Sequence, residues 1–150
     1  MRSAVGAAIA AVGLITSITG TFLPWLKSGS TTRDSYEVLS LRDLAGLDGV
    51  AGTVVTSVWV GLTPLAMIAV ALFVVRFRRF AACVGLLFGT IGGTVGLLAV
   101  VQGDGKGALV GISIAGPAVT LAGAVLTIVG AITVLTSTRR SAVRTPGGNP

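Results

Sequence analysis

The chain alternates long uncharged apolar stretches with short polar ones. Four of these stretches, at about 4–26, 54–75, 80–101 and 113–135, are each long enough for a helix to cross a hydrocarbon core of about 30 Å. None of the four contains Asp, Glu, Lys, Arg or His. The pattern therefore predicts an all-α integral membrane protein, in which a four-helix bundle forms a single transmembrane domain over residues 1–150.

Two questions concern the first and last stretches, namely whether the first is retained in the protein and where the last begins. The first could be a secretory signal peptide, but its 23 uncharged residues exceed the usual apolar region of about 7 to 15, so we expect a retained span. The last stretch is clear from Pro117 to Leu135 and could begin as early as Gly111. The tail at 139–150 is predicted to be disordered.

A basic turn, Arg76-Phe77-Arg78-Arg79, separates the second and third stretches. Because an arginine at the bilayer centre costs about 2.5 to 3.5 kcal/mol, the turn must lie at a membrane surface. With the turn and both termini on one side, that side holds seven basic and no acidic residues, and the other holds four basic and five acidic residues. This split predicts cytoplasmic termini, N-in and C-in. The arginines that set the topology are Arg76, Arg78, Arg79, Arg139 and Arg140.

One larger extracytoplasmic loop, at 27–49, joins the first two helices. Within it, Ser40-Leu41-Arg42-Asp43 has the form of a helix-capping box, and leucine recurs at positions 41, 44 and 47. We predict a short amphipathic helix on the membrane surface, with an irregular loop as the alternative.

Two tryptophans and a proline predict further features of the first two spans. Trp25 and Trp59 are predicted to anchor the first and second spans at the membrane–water interface, where indole rings are enriched. Pro64 predicts a kink in the second span, because proline cannot donate a backbone hydrogen bond.

Glycines line one face of three predicted helices. In the third, two small-xxx-small repeats fall within one narrow stripe, formed by Gly85, Gly89, Gly92 and Gly96. In the fourth and first, glycine recurs every seven residues, at Gly116, Gly123 and Gly130 and at Gly6, Gly13 and Gly20. Bare backbone lets helices approach closely, so these are predicted helix-packing residues, with the packed helix in the same chain or in a partner.

The residue types that indicate a chemistry are nearly absent. The chain has one cysteine, Cys83, and no histidine, which excludes an intrachain disulfide, a His-ligated haem and a His-containing zinc site. Cys83 is expected to act as a small apolar side chain in packing rather than as a nucleophile, because no activating base lies near it in sequence. Acids at 34, 37 and 43 interleave with arginines, which is typical of solvated ion pairs. We therefore predict no enzyme, cofactor or metal.

The segment Pro24-Trp25-Leu26-Lys27-Ser28-Gly29, followed by Arg33-Asp34-Ser35-Tyr36, resembles small uncharacterised four-span membrane proteins of high-GC Gram-positive bacteria. The resemblance covers this segment and the four-span plan. It implies a multi-pass protein of the bacterial plasma membrane and brings no assigned activity or functional residues.

The sequence is compatible with two functions. The preferred one is a non-enzymatic accessory or assembly subunit whose glycine stripe, best represented by Gly89 and Gly92, docks a partner's transmembrane helix. The alternative is a small oligomeric transporter or channel for a neutral or weakly polar solute, lined by hydroxyls such as Thr16, Ser17, Thr19 and Thr21. The expected partners are the lipid bilayer and a membrane protein or a second copy. Nucleic acid is not expected, because the net charge of +6 comes from residues at the ends of apolar runs.

Overall fold

Four long helices dominate the computed structural model, which describes residues 2–28, 31–40, 50–102 and 111–142. The helices are α1 (Arg2–Thr21), α2 (Ser35–Ser40), α3 (Val50–Val74), α4 (Arg78–Gln102) and α5 (Ala115–Ala142). All but the short α2 are long and apolar enough to cross a membrane. The prediction of an all-α, four-helix, multi-pass membrane protein is confirmed.

The helix ends correct two of the predicted boundaries. α1 stops at Thr21 rather than near residue 26. Its last turn tightens through bonds from the Phe22 and Leu23 amides to the carbonyls three residues back, at 3.2 and 3.3 Å. Pro24 has no N–H with which to continue the helix. α5 runs through Ala142, so residues 139–142 of the tail predicted to be disordered are helical, and 143–150 lie outside the described residues.

A small sheet covers one end of the bundle. Its strands are β1 (Leu26–Ser28), β2 (Thr31–Arg33) and β3 (Gly111–Ile112), in the order β2-β1-β3. The central strand pairs antiparallel with both neighbours, and Lys27 lies opposite Thr32 on one side and Gly111 on the other. These strands are too short and polar to show the period-two alternation by which a strand is predicted.

The four long helices pack in a ring. α5 makes the most extensive contacts, with α1 and then α4, and α3 is attached less extensively, to α4 and α1. The end of the bundle that carries the sheet and α2 is called the sheet end here. The opposite end, with the Arg76–Arg79 turn, is called the arginine end, and a hydrogen bond of 3.0 Å from Arg78 Nη1 to Ser3 Oγ places the start of α1 there.

Small side chains fill the core between these helices. Among the described residues, fully buried alanines line every long helix: Ala10, Ala66, Ala69, Ala81, Ala82, Ala124 and Ala131. Lipid chains are as apolar as a leucine side chain, so helices in a bilayer associate through close packing and hydrogen bonds rather than by escaping water. A core rich in alanine and glycine allows the helices to pack this closely.

Candidate functional site

The backbones of two helices approach closely at the glycine seams of α1 and α5. The two helices run antiparallel, so Gly13 meets Gly123 while Gly6 meets Gly130. A Cβ added at Gly13 would lie 2.5 Å from the Thr127 nitrogen and 2.7 Å from the Gly123 oxygen. Nothing larger than glycine fits there, because real Cβ contacts with backbone are much longer.

Paired hydroxyls join the same two helices beside the seam. Ser17 Oγ donates to the Thr120 carbonyl at 3.0 Å, and Thr120 Oγ1 donates to the Ser17 carbonyl at 3.5 Å. Both side chains are buried. In α1 the hydroxyls of Thr19 and Thr21 also donate to carbonyls, at 2.9 and 2.7 Å within their own helix. These three hydroxyls of α1 therefore serve internal bonds, and their bonding does not support the solute-path alternative.

Three glycines of the α4 stripe face α5 of the same chain, and the fourth, Gly92, faces Phe88 of α4 and Ser17 of α1. A Cβ at Gly89 would lie 2.8 Å from Ile128 Cγ1, and one at Gly96 would lie 3.1 Å from the Pro117 oxygen. Gly85 and Gly92 are buried with them, in looser surroundings whose nearest atoms are 3.4 and 3.9 Å away. The stripe is thus occupied within the chain and is not free to dock a partner's helix, which corrects the preferred docking surface.

Trp25 and Trp59 lie inside the protein, packed against each other. Their exposed fractions are 8% and 6%. The rings meet edge to face, with centroids 5.5 Å apart, and Trp25 also lies against Gly116. Each indole N–H has a protein acceptor, the Gly20 carbonyl for Trp25 at 2.9 Å and Ser35 Oγ for Trp59 at 3.2 Å. Because both rings are buried, their surroundings do not support the predicted role of interface anchors.

A capping box starts α2, though not the box that was predicted. Asp34 Oδ1 accepts from the Tyr36 and Glu37 amides at 3.0 and 2.9 Å, and Glu37 Oε2 accepts from the Asp34 amide at 3.4 Å. The predicted box begins at Ser40, which is the last residue of α2, and its remaining residues lie outside the described part of the chain. The signal for the observed box, an acid followed by glutamate three residues later, is present in the sequence.

Polar bonds fasten α2 to the long helices. Ser35 Oγ donates to the Thr21 carbonyl at 2.7 Å while accepting from the Trp59 indole. The Tyr36 hydroxyl is hydrogen bonded to Thr63 Oγ1, and its ring stacks at a tilt on Phe22 with centroids 5.4 Å apart. Three helices, α1, α2 and α3, therefore meet in one bonded cluster at the sheet end, called here the latch. Its polar members are Thr21, Ser35, Tyr36, Trp59 and Thr63.

The arginine end carries the predicted topology residues. Arg76 and Arg79 are exposed, Arg78 is half-buried against Ser3, and Arg139 and Arg140 lie within the final residues of α5. Arg76 has a φ of 68°, the single non-glycine residue with positive φ among those described. Cys83 is exposed on α4 rather than a buried filler.

One glycine differs from the rest. An added Cβ at Gly61 of α3 meets nothing within 4 Å, while at each of the other helical glycines whose surroundings the structure describes it meets protein atoms. Gly61 lies within an exposed arc of about 80° on this helix, which comprises Val54, Ser57, Gly61, Pro64 and Ile68. This arc is called the α3 face.

Comparison of the chain with protein-family models, with curated proteins and with solved structures finds no match.

Proposed function

We propose that the protein is a non-enzymatic accessory or assembly subunit of a membrane complex and that it docks a partner's transmembrane helix on the α3 face. The observation that carries the proposal is the open space at Gly61. The glycines of α1, α4 and α5 already pack against one another, so the α3 face takes the role expected of the α4 stripe.

Glycine in a helix costs about 1 kcal/mol relative to alanine. At Gly13 and Gly123 close packing offsets that cost, because their backbones touch. At Gly61 no contact with the described part of the chain does so, whereas a neighbouring helix packed there would. Ser57, also exposed, lies one turn earlier and completes a small-xxx-small pair, the pattern by which helix backbones approach in membranes.

The attachment of α3 also supports this proposal. α3 contacts α4 and α1 less extensively than α4 and α1 contact α5. A helix that is held on one side only leaves the other side for lipid or for a partner. We further propose that the arginine end is cytoplasmic and that the membrane is a bacterial plasma membrane, supported by the charge split between the two ends and by the resemblance at Pro24–Tyr36.

The test is co-purification of the tagged full chain in several mild detergents, with Gly61→Leu as the disrupting variant. Leucine at 61 points into open space, so the isolated protein tolerates it, but a docked helix would be pushed away. Ala122→Leu is the matched control, since Ala122 is exposed on α5 away from the α3 face. We expect a stoichiometric membrane protein with the wild type and with Ala122→Leu, and its loss with Gly61→Leu.

Unchanged tryptophan emission in both variants checks that the fold is kept. The proposal fails if the partner stays bound to Gly61→Leu, if both variants lose it equally, or if the wild type is a partner-free monomer. An assembly made only of copies of this chain would also refute the accessory role.

A further inference from the structure

The turn between α3 and α4 exposes charge and aromatic surface together. Arg76 and Arg79 are exposed, and so are the rings of Phe77 and Phe80, at 66% and 63%. Phenyl rings in this setting can enter the upper acyl chains while the neighbouring guanidinium groups stay at headgroup level. The alternation of arginine and phenylalanine therefore matches a membrane surface, in which headgroups lie above apolar acyl chains.

The backbone of this turn keeps an arginine where glycine is favoured. Arg76 has a φ of 68°, in the left-handed region, and its amide donates to the Phe73 carbonyl at 3.3 Å to close the end of α3. Glycine would adopt this conformation without steric conflict. A strained residue at an exposed turn points to a use for its side chain.

Charge complementarity identifies the ligand. The five acids of the chain are at positions 34, 37, 43, 48 and 104, and none lies within 20 residues of the turn in sequence. The two acids that the structure describes, Asp34 and Glu37, belong to α2 at that opposite end. Guanidinium groups without a carboxylate partner bind phosphate oxygens through paired N–H donors.

We propose that the Arg76–Phe80 turn is a binding site for the phosphate headgroup of an anionic phospholipid. Arg76 and Arg79 bind the phosphate, and Phe77 and Phe80 insert beside the acyl chains. Arg78 is a positioning residue, because its bond to Ser3 ties the turn to the start of α1. The proposal is independent of partner docking on α3, at another place in the protein.

The experiment is calorimetric titration of the purified full chain in nonionic micelles with short-chain phosphatidylglycerol and, separately, phosphatidylcholine. We expect tighter binding of phosphatidylglycerol. Arg76→Gln with Arg79→Gln should weaken it by about thirty-fold, or about fivefold for each arginine, and leave phosphatidylcholine unchanged. The control, Arg139→Gln with Arg140→Gln, removes equal charge from the same end and should change the affinity less than twofold.

Two further arms keep the result interpretable. Arg76→Gly with Arg79→Gln removes the same charges and relieves the backbone at 76, so a folding defect in the first variant does not hide the outcome. Inorganic phosphate at constant ionic strength should compete weakly, because it has no acyl chains for Phe77 and Phe80. Equal losses in both arginine pairs, equal binding of the two lipids, or full displacement by phosphate would each overturn the proposal.

Discussion

Adding a single methyl group at Gly13 should measurably destabilise this protein. The new Cβ would lie 2.5 Å from the Thr127 nitrogen and 2.7 Å from the Gly123 oxygen. Ordinary contacts require about 3.5 to 4.0 Å, so α1 and α5 must separate by about 1 Å. Both obstructing atoms belong to the backbone, which cannot rotate away as a side chain can.

The magnitude follows from three terms. Overpacking costs about 1 to 3 kcal/mol. The reciprocal bonds between Ser17 and Thr120, at 3.0 and 3.5 Å, lengthen beyond useful range when the helices part, at a cost of about 1 kcal/mol. Alanine recovers about 1 kcal/mol of helix propensity. Gly13→Ala should therefore lower the free energy of unfolding by about 1 to 3 kcal/mol.

The matched control is the same substitution at Gly92. Its added Cβ would lie 3.9 Å from the nearest atoms, on Phe88 and Ser17, so Gly92→Ala gains propensity without a clash and should leave stability unchanged or raised by up to about 1 kcal/mol. Because Gly123 faces Gly13, the double variant Gly13→Ala/Gly123→Ala should cost less than the sum of the two single variants, since one separation relieves both clashes.

Unfolding by SDS from nonionic micelles, followed by tryptophan fluorescence, measures these differences. The two tryptophans of the chain, Trp25 and Trp59, are buried against each other at the sheet end, so their emission reports tertiary packing rather than helix content. If Gly13→Ala and Gly92→Ala differ by less than about 0.5 kcal/mol, the two backbones do not touch as described.

Three further predictions concern the two ends of the bundle. Ser35→Ala leaves the buried Trp59 indole N–H without its acceptor at 3.2 Å, so the same unfolding assay should show a loss of about 1 to 3 kcal/mol; a loss below that range would show that the latch does not hold α2. Arg76→Gly should stabilise the protein by about 1 kcal/mol, because φ is 68° there, whereas Arg79→Gly, within α4, should destabilise it by a similar amount; equal effects would contradict the assigned backbone. Reporter fusions after Arg79 should be active only with a cytoplasmic reporter and fusions near Thr32 only with an exported one, and an exported signal at Arg79 would refute the orientation.

Some features of the structure have a recognisable signal in the sequence from which they could have been predicted. Asp34 and Glu37 have the spacing of the observed capping box, but Ser40 and Asp43 offered the same spacing beside a leucine repeat, and local pattern alone does not choose between them. Trp59 and Ser35 left no such trace, because their bond joins residues 24 positions apart.

What the sequence determined by itself is the number of spans and their approximate limits. A helix that crosses lipid must satisfy its backbone hydrogen bonds internally and exclude charge. Each span can therefore be recognised from the local sequence as an uncharged run of sufficient length. The same local rule explains why the ends were less accurate. The apolar run through Leu26 continues past Thr21, where α1 stops, and its last residue already begins β1.

Tertiary structure alone decided which faces meet. The heptad glycines of α1 and α5 and the α4 stripe are visible in sequence, but a glycine face is compatible with any close neighbour. Only the packed helices show that α5 covers Gly85, Gly89 and Gly96 of the α4 stripe. For the same reason Gly61 did not stand out. It matches its fellow glycines in sequence and differs only in having no atom beside it, a property of its surroundings that depends on how distant helices are arranged.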